Sequence, residues 1–567
     1  MEPIIKFENF TWKYNAQAEP TLHEINLEIN AGEKVLICGP SGCGKSTLAH
    51  CLNGLIPFSY KGESSGTLTI FGKDTKTLSL FDISKMVGTV LQDSDGQFVG
   101  LTVAEDIAFA LENDCVPQQE LFQRVAKVAG EVNVGSFLHH APNELSGGQK
   151  QRVSLAGVMV DDVPVFLFDE PLANLDPATG KQAIELIDEI RKNRNAAEII
   201  IEHRLEDVLW RDVDRVILMQ DGRIAADVTP DQLLASDLLR TYGIREPLYI
   251  TALKYAGVEI TPEKAPHSMR SIKLSDEDVK AVRNWFFSAP ENTKQNESES
   301  LLSAEHITFA YANGCKALDD VSIDVRKGEM LAIVGRNGAG KSTFSKLVCG
   351  FETAQKGNIY FKGQDLMKLS IKERADSIGY VMQNPNQMIS QVMITDEVAL
   401  GLKTRGVGEE EIKRRVEDTL KICGLYPFRK WPVSALSYGQ KKRVTIASIL
   451  VLDPEIIILD EPTAGQDFRH YTEIMEFLRE INRRGITVVM ITHDMHLMLE
   501  YCDRAVVLAD GKKLADTGCA AVLTDPDLIE RASLKLTSLY DLAMLCGIED
   551  AEGFVRCFIA CDREVRA

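Results

Sequence analysis

The 567-residue sequence has no apolar run approaching the roughly 20 residues that cross a bilayer as a helix. Its start, Met1-Glu2-Pro3-Ile4, lacks a basic stretch followed by an apolar one, so no secretory signal is expected. Any association with a membrane is therefore expected to run through a partner protein. Positive charge is also short: 63 Lys and Arg stand against 83 Asp and Glu, a net charge of −20. Nucleic-acid binders use basic surface to displace counterions from phosphates, and this balance argues against such a main role. The 12 cysteines are scattered, and the close pair Cys557 and Cys561 has no matching His or Cys for a zinc site. Reduced thiols packed as small apolar residues are expected.

What is present is a chain of ordinary globular composition, 45% hydrophobic and 26% charged, too long for one hydrophobic core. It is one unit written twice. Gly39-Pro-Ser-Gly-Cys-Gly-Lys-Ser46 recurs as Gly335-Arg-Asn-Gly-Ala-Gly-Lys-Ser342. Gln92 pairs with Gln383, Ser146 with Ser437, Glu170 with Glu461 and His203 with His493, all about 290 residues apart. Chance matches would not hold register. The polar stretch 288–300 reads as a flexible linker, which sets the copies at 1–287 and 301–567.

Within each copy the pattern is α/β. Short apolar runs such as Val35–Cys38, Val165–Phe168 and Ile199–Ile201 read as buried parallel strands followed by turns and helices. Lys45 to Asn53, closed by Gly54, is one such helix. Alternating segments at Ile5–Tyr14 and Leu22–Ile29 predict a small antiparallel sheet, and runs ending in Asp-Gly after Val216 and Val506 predict hairpins. The stretches 225–287 and 513–567 read as mostly helical extensions without a chemical motif.

Both glycine-rich segments match G-x-x-x-x-G-K-[ST] between a strand and a helix, the context the motif requires. Glycines let backbone wrap close to phosphates, and the helix start offers free N–H groups to negative charge. Lys45 and Lys341 are expected at the β- and γ-phosphates, and Ser46 and Ser342 on Mg²⁺. Two apolar strands then end in paired acids, Asp169-Glu170 and Asp460-Glu461. That delivers carboxylates to the edge of the sheet where ligands bind. The first acid of each pair is expected to hold Mg²⁺, and the second to orient the attacking water and take its proton. His203 and His493 follow at matching distances, which favours γ-phosphate contact over a structural histidine.

With Leu145-Ser-Gly-Gly-Gln149 and Leu436-Ser-Tyr-Gly-Gln440 added, both copies resemble the ATP-binding-cassette (ABC) family, with its motifs in family order. The resemblance implies two tandem P-loop NTPase domains. Each has a mainly parallel core sheet, a small antiparallel subdomain and a helical subdomain. It also implies that the two domains pair head to tail within the chain, so that each ATP lies between one phosphate loop and the other signature. The first nucleotide would meet Gly39, Pro40, Ser41, Gly42, Cys43, Gly44, Lys45, Ser46 and Thr47 with Ser437, Gly439 and Gln440. The second would meet Gly335, Arg336, Asn337, Gly338, Ala339, Gly340, Lys341, Ser342 and Thr343 with Ser146, Gly147, Gly148 and Gln149. Tyr14 and Tyr311 match the aromatic that stacks on adenine, and Gln92 and Gln383 match the glutamines that reach Mg²⁺ and the hydrolytic site. Asp176 and Asp467 match the D-loop acids. Three departures stand out: Tyr438 replaces a signature glycine, Cys43 sits inside the first phosphate loop, and Gln466 is unusual for its loop. Since both catalytic acids and both histidines are present, two competent sites are expected.

Gln92-Asp93-Ser-Asp95-Gly-Gln97-Phe98, Gln383-Asn-Pro-Asn-Gln387 and Glu202-His203-Arg204-Leu-Glu206 resemble the energy-coupling-factor (ECF) group of importer ATPases, as do the helical extensions. That likeness implies vitamin or transition-metal uptake at the cytoplasmic face of a membrane. The implied partners are a transmembrane coupling subunit, received beside Gln92 and Gln383, and a small substrate-binding membrane subunit. Asp93 or Asp95 would pair with a basic residue there. A tandem sugar-importer ATPase is the nearest rival, disfavoured by the intact second phosphate loop. A soluble ribosome-acting member is disfavoured by the short linker, the −20 charge and the absence of an iron–sulfur cysteine cluster ahead of the first copy.

Overall fold

The structure is a computed structural model that describes residues 3–92, 96–173, 175–194, 196–288, 299–312, 314–463 and 466–566. Asp93 and Asp95, and residues 289–298 of the expected linker, lie outside the described residues. Contacts divide the chain into Met1–Val282 and Arg283–Ala567.

In the first unit, strands Lys34–Cys38 and Ala197–Ile201 are buried along their whole length. Continuous burial of this kind suits strands covered on both faces, where alternation would leave polar side chains in the core. They lie centrally in a six-stranded sheet ordered Arg223–Val228, Arg215–Gln220, Lys34–Cys38, Ala197–Ile201, Val165–Asp169, Val87–Val90. All pairings are parallel except the Arg223–Val228 edge. That edge is reached through Asp221 and Gly222, at φ 47 and 73, because a two-residue hairpin turn needs left-handed backbone at both positions. The second unit repeats the order with Ile378–Val381, Ile456–Asp460, Thr487–Ile491, Met330–Val334, Arg504–Ala509 and Lys512–Gly518, and turns its hairpin at Asp510 and Gly511.

A four-stranded antiparallel sheet accompanies each: Leu22–Ile29, Ile5–Tyr14, Gly62–Ile70, Lys73–Asp74, and Lys316–Arg326, Ser300–Ala310, Lys356–Phe361, Gln364–Asp365. Between the two sheets of unit one lies helix Lys45–Leu52, whose Leu48 and Leu52 join Phe7, Trp12, Ile37 and Ile199 in one core. Each buried leucine stabilises by roughly 2 kcal/mol, so the helix that follows the phosphate loop is fixed from both sides. Phe344, Leu347 and Val348 of helix Lys341–Cys349 do the same in unit two. Helices Val103–Asn113, Gln118–Glu131 and Gly147–Met159 form a helical layer, matched by Ile394–Thr404, Glu409–Ile422 and Tyr438–Leu450. The extensions add helices Pro230–Ala235, Leu238–Thr241, Leu248–Tyr255 and Asp276–Ser288, and later Cys519–Leu523, Pro526–Ala532, Ser538–Leu545 and Ala551–Arg566.

Candidate functional site

The phosphate loops begin where the central strand ends. A side chain at Gly39, φ 152, would collide with the Met219 carbonyl, and one at Gly335, φ 147, with that of Leu508. Only glycine fits this approach. Gly44 and Gly340, at φ 103 and 100, open helices Lys45–Leu52 and Lys341–Cys349 with no side chain capping the first turn. The N–H groups there remain available to an anion. Lys45 Nζ donates to the carbonyls of Gly39 (2.7 Å) and Pro40 (2.9 Å), and Lys341 Nζ to those of Gly335 (2.7 Å) and Arg336 (2.9 Å). Each ammonium thus bridges the mouth of its own loop. Ser41, Gly42 and Ser46 are exposed on loop one, as are Arg336, Asn337 and Gly338 on loop two. Cys43 and Ala339 fill the same buried place beneath the loops, and burial pushes the Cys43 thiol up, away from reactive thiolate. Tyr14 donates to Thr47 Oγ1 at 3.1 Å, and Tyr311 lies 3.0 Å from Thr343 Oγ1, so each aromatic is tied to its phosphate-loop helix.

The paired acids sit beside these loops in an unusual backbone. Glu170 and Glu461 have φ 49 and 47, left-handed values that cost a non-glycine residue on the order of 1 kcal/mol. The conformation is held because each N–H donates to the next strand, Glu170 to the Ile201 carbonyl and Glu461 to that of Ile491, both at 2.9 Å. The Glu170 carboxylate lies 3.6 Å from His203 Nδ1 and accepts from Gln92 Nε2 at 2.6 Å. Glu461 lies 2.7 Å from His493 Nδ1. Burial and the neighbouring Glu170 charge push Asp169 up to about 6. Burial also raises Asp460, helped by Glu461. Glu170 behaves oppositely: burial favours its proton, but the bond from His203, the His203 and Lys45 charges and Gln92 together hold it below the usual carboxylate range. His203 is raised, since Glu170 and Glu202 outweigh its burial. In unit one Asp169 therefore favours a proton or a bound cation, while Glu170 stays ionised against His203.

The signature residues cap helices. Ser146 N donates to Gln149 Oε1 (2.8 Å) while Gln149 N donates to Ser146 Oγ (3.4 Å), and Ser437 and Gln440 repeat this box at the start of Tyr438–Leu450. None of the hydrogen bonds described for Ser146, Gln149, Ser437 or Gln440 reaches the phosphate loop of its own unit. Gly147 and Gly148 form the first turn, and a side chain at Gly148 would collide with Thr179. Gly439 lies against Gln466 and His470. The D-loop acids are helix caps: Asp176 accepts from Thr179 N and Asp467 from His470 N, each at 2.9 Å.

Two partners of the acids escaped the sequence reading. Glu202, fully buried, accepts from the backbone of Leu172, His203 and Arg204, and so fixes both the segment after Glu170 and the histidine. The sequence marked Glu202 only as part of the Glu202–Glu206 motif and as a charged residue ending a β-branched strand, and neither shows which N–H groups it binds. Tyr380, in the strand beside Asp460, donates to Asp460 at 3.1 Å, whereas Thr89 stands at that place in unit one. The Ser342 hydroxyl also bonds Asp460. Hydroxyl, carboxylate and amide oxygens are the donor set of a hard divalent cation, so these residues fit Mg²⁺.

Comparison with known proteins shows the family to which the chain belongs. The profile of the family described as "ABC transporter" matches residues 22–173 and 318–464, just over half of the chain. One described as "ATP-binding cassette cobalt transporter" matches residues 236–309. A Clostridium perfringens protein provisionally named an ABC transporter ATP-binding protein is 59% identical over 563 residues, 99% of each chain. One of the same name from Enterococcus faecalis is 58% identical over 566 residues, 100% of this chain and 99% of its own. A solved chain described as cbiO1 of Clostridium perfringens, part of the ABC transporter complex cbiONQ, matches 44% of this chain and all of its own at 33% identity, with a TM-score of 0.39. Among the described residues no helix is long and apolar enough to cross a membrane. The chain belongs to the ABC transporter family as an ATP-binding protein, one of the ATPases of these transporters.

Proposed function

We propose that both units hydrolyse ATP, and that the two nucleotide sites power uptake of a transition-metal ion or vitamin by an ECF-type importer. The observation that carries the reading is the duplicated constellation: a glutamate in left-handed backbone with a histidine at its carboxylate, beside a lysine-bridged phosphate loop. Glu170 and Glu461 orient water and take its proton as the γ-phosphoryl leaves. His203 and His493 hold those carboxylates and reach the γ-phosphate. Lys45 and Lys341 move from their own carbonyls to the β- and γ-phosphates, with Gly39–Thr47 and Gly335–Thr343 wrapping them. Tyr14 and Tyr311 stack on the adenines. Ser46, Asp169 and Gln92, and Ser342, Asp460 and Gln383, would hold Mg²⁺, which neutralises developing phosphate charge.

The signature residues of one unit complete the nucleotide site of the other in this reading. The exposed helix starts at Ser146 and Ser437 support it. Nucleotide then favours the paired state, and hydrolysis releases it. The match at 236–309 to a cobalt-transporter ATPase family supports the ECF-type assignment over a sugar importer or a ribosomal factor. The partners are a transmembrane coupling subunit and a small substrate-binding membrane subunit, at the cytoplasmic face, with no nucleic acid.

The chemistry is tested with the Glu170→Gln/Glu461→Gln double variant. Turnover is expected to fall by 10² or more while two ATP molecules stay bound per chain. Turnover unchanged by either single substitution would overturn the two-site assignment. Purification of the complex from native membranes, with identification of the co-purifying small membrane protein, tests the transport assignment. Ribosomes in its place would overturn it.

A further inference from the structure

The two copies differ where the signature helix meets the glutamine segment, and the differences converge on one atom. Helix Tyr438–Leu450 carries Tyr438 and Lys442, four residues apart and so on one face, where helix Gly147–Met159 carries Gly147 and Gln151. Lys442 is 1% exposed, and its ammonium donates to the Gln383 carbonyl at 2.6 Å and the Met382 carbonyl at 3.1 Å. It also lies 3.5 Å from the carbonyl of Glu461. The Tyr438 hydroxyl stands 3.4 Å from the same Gln383 carbonyl, at the long limit of a hydrogen bond.

In unit one, Gln151 donates to the Pro171 carbonyl, and the glutamine segment is held otherwise. Gln97 bridges Leu91 N–H and the Thr89 carbonyl, and the Gln92 amide bonds Glu170 directly. One glutamine segment is thus tied by its side chain to the catalytic acid. The other is tied by its backbone to the helix that begins with Ser437.

We propose that Lys442, assisted by Tyr438, is a positioning latch. It fixes the Gln383 segment to the signature helix of unit two, so that the second catalytic glutamate and this helix move as one body. The latch rests on the ATPase reading for its consequence but not for its existence. Because the Lys442 ammonium bonds the glutamine segment and lies near the Glu461 carbonyl, a shift of the segment is transmitted to the start of helix Tyr438–Leu450. At the place of Lys442 unit one carries Gln151, which donates to the Pro171 carbonyl instead.

The latch is read directly by hydrogen exchange on the full chain. In Lys442→Met, amides of 382–391 are expected to exchange about 10-fold faster, as befits loss of charge-assisted bonds, while those of 96–100 stay within twofold. Tyr438→Phe gives a smaller rise in the same amides. Gln151→Met, the matching change in unit one, leaves 382–391 unaltered. ATP turnover of Lys442→Met falls about 10-fold with KM within twofold, which a general loss of fold would not produce. Should Lys442→Met not fold, Lys442→Gln, which restores the residue of the first copy, and Tyr438→Phe carry the test. Unchanged exchange over 382–391 in a folded Lys442 variant overturns the latch. Faster exchange with unaltered turnover overturns its positioning role. Absence of ATP turnover in the unsubstituted chain would overturn the ATPase reading and leave the exchange result standing.

Discussion

Lys34 and Glu198 stand where the second unit has Met330 and Val488. The sheet register makes both equivalences explicit, pairing Lys34 with Glu198 and Met330 with Val488. Lys34 and Glu198 are fully buried, and Lys34 lies 3.8 Å from Asp188. At these two places one copy therefore buries ionisable groups where the other buries hydrocarbon. Removing one partner strands the other, so Lys34→Met alone is expected to cost about 3–5 kcal/mol, whereas the Lys34→Met/Glu198→Val double, which leaves Asp188 its Lys192 and Arg191 partners, is expected to be neutral or more stable by about 1–4 kcal/mol. Urea titrations of the full chain, following the transition of unit one, measure both. Burial pushes Glu198 up to about 8. Between the ordinary carboxylate range and that value the folded chain keeps a proton the unfolded chain has lost, so stability falls as pH rises through this window. Lys34, pushed down from 10.5, acts in the opposite sense on the alkaline side. Melts between pH 5.5 and 8 are expected to decline, and Glu198→Val to flatten that slope; a flat wild-type profile would refute it. None of this was legible from the sequence, where Lys34 and Glu198 read as residues flanking strands. Only the register reveals that they face each other inside a sheet covered on both sides.

The elements around each site are placed by caps and by single packed side chains. Asp467 accepts from His470 N and lies 2.7 Å from its Nδ1, at the start of the 16-residue helix Phe468–Arg483. Asp467→Ala is expected to cost about 1 kcal/mol, and Asp467→Asn or →Ser much less, measured as a shift in the unfolding midpoint of unit two. The resemblance matched Asp176 and Asp467 to the D-loop acids, and the geometry adds a capping role that any helix start would use. The first extension is stapled to its core at Trp210. Arg270 lies 3.6 Å from the ring centroid and Lys181 3.9 Å from it, while the indole donates to Glu185 at 3.3 Å. Arg270→Ala is expected to lower the stability of unit one by about 1 kcal/mol, and Arg270→Lys by less, again by urea titration. The sequence showed these extensions only as helical stretches without a motif. A cation over an aromatic ring, 60 residues apart in the chain, leaves no local pattern to find.

Two complete cassettes in one chain imply two bound nucleotides. In the Glu170→Gln/Glu461→Gln variant, ATP with Mg²⁺ at about 100 times its Kd adds roughly 2.7 kcal/mol for each site whose unit it stabilises, a melting shift of several degrees. Lys45→Ala and Lys341→Ala added together are expected to abolish the shift, and either alone to reduce it. A shift that survives both lysine changes would mean that the nucleotide is held elsewhere.

The sequence by itself determined the duplication, the strand and helix order and the identity of the phosphate loops, acids and histidines. Those features are local: a glycine pattern, an apolar strand ending in acids and a hairpin Asp-Gly each act on their neighbours in the chain, and repetition at one spacing multiplies the signal. The tertiary structure decided what depends on residues distant in sequence. It set the left-handed backbone of Glu170 and Glu461, fixed by the adjacent strand, and the unequal distances from those acids to their histidines. It also decided which carbonyl Lys442 finds. The orientation of a carboxylate or an ammonium is chosen by the strand or helix packed against it, and sequence spacing carries no record of that choice.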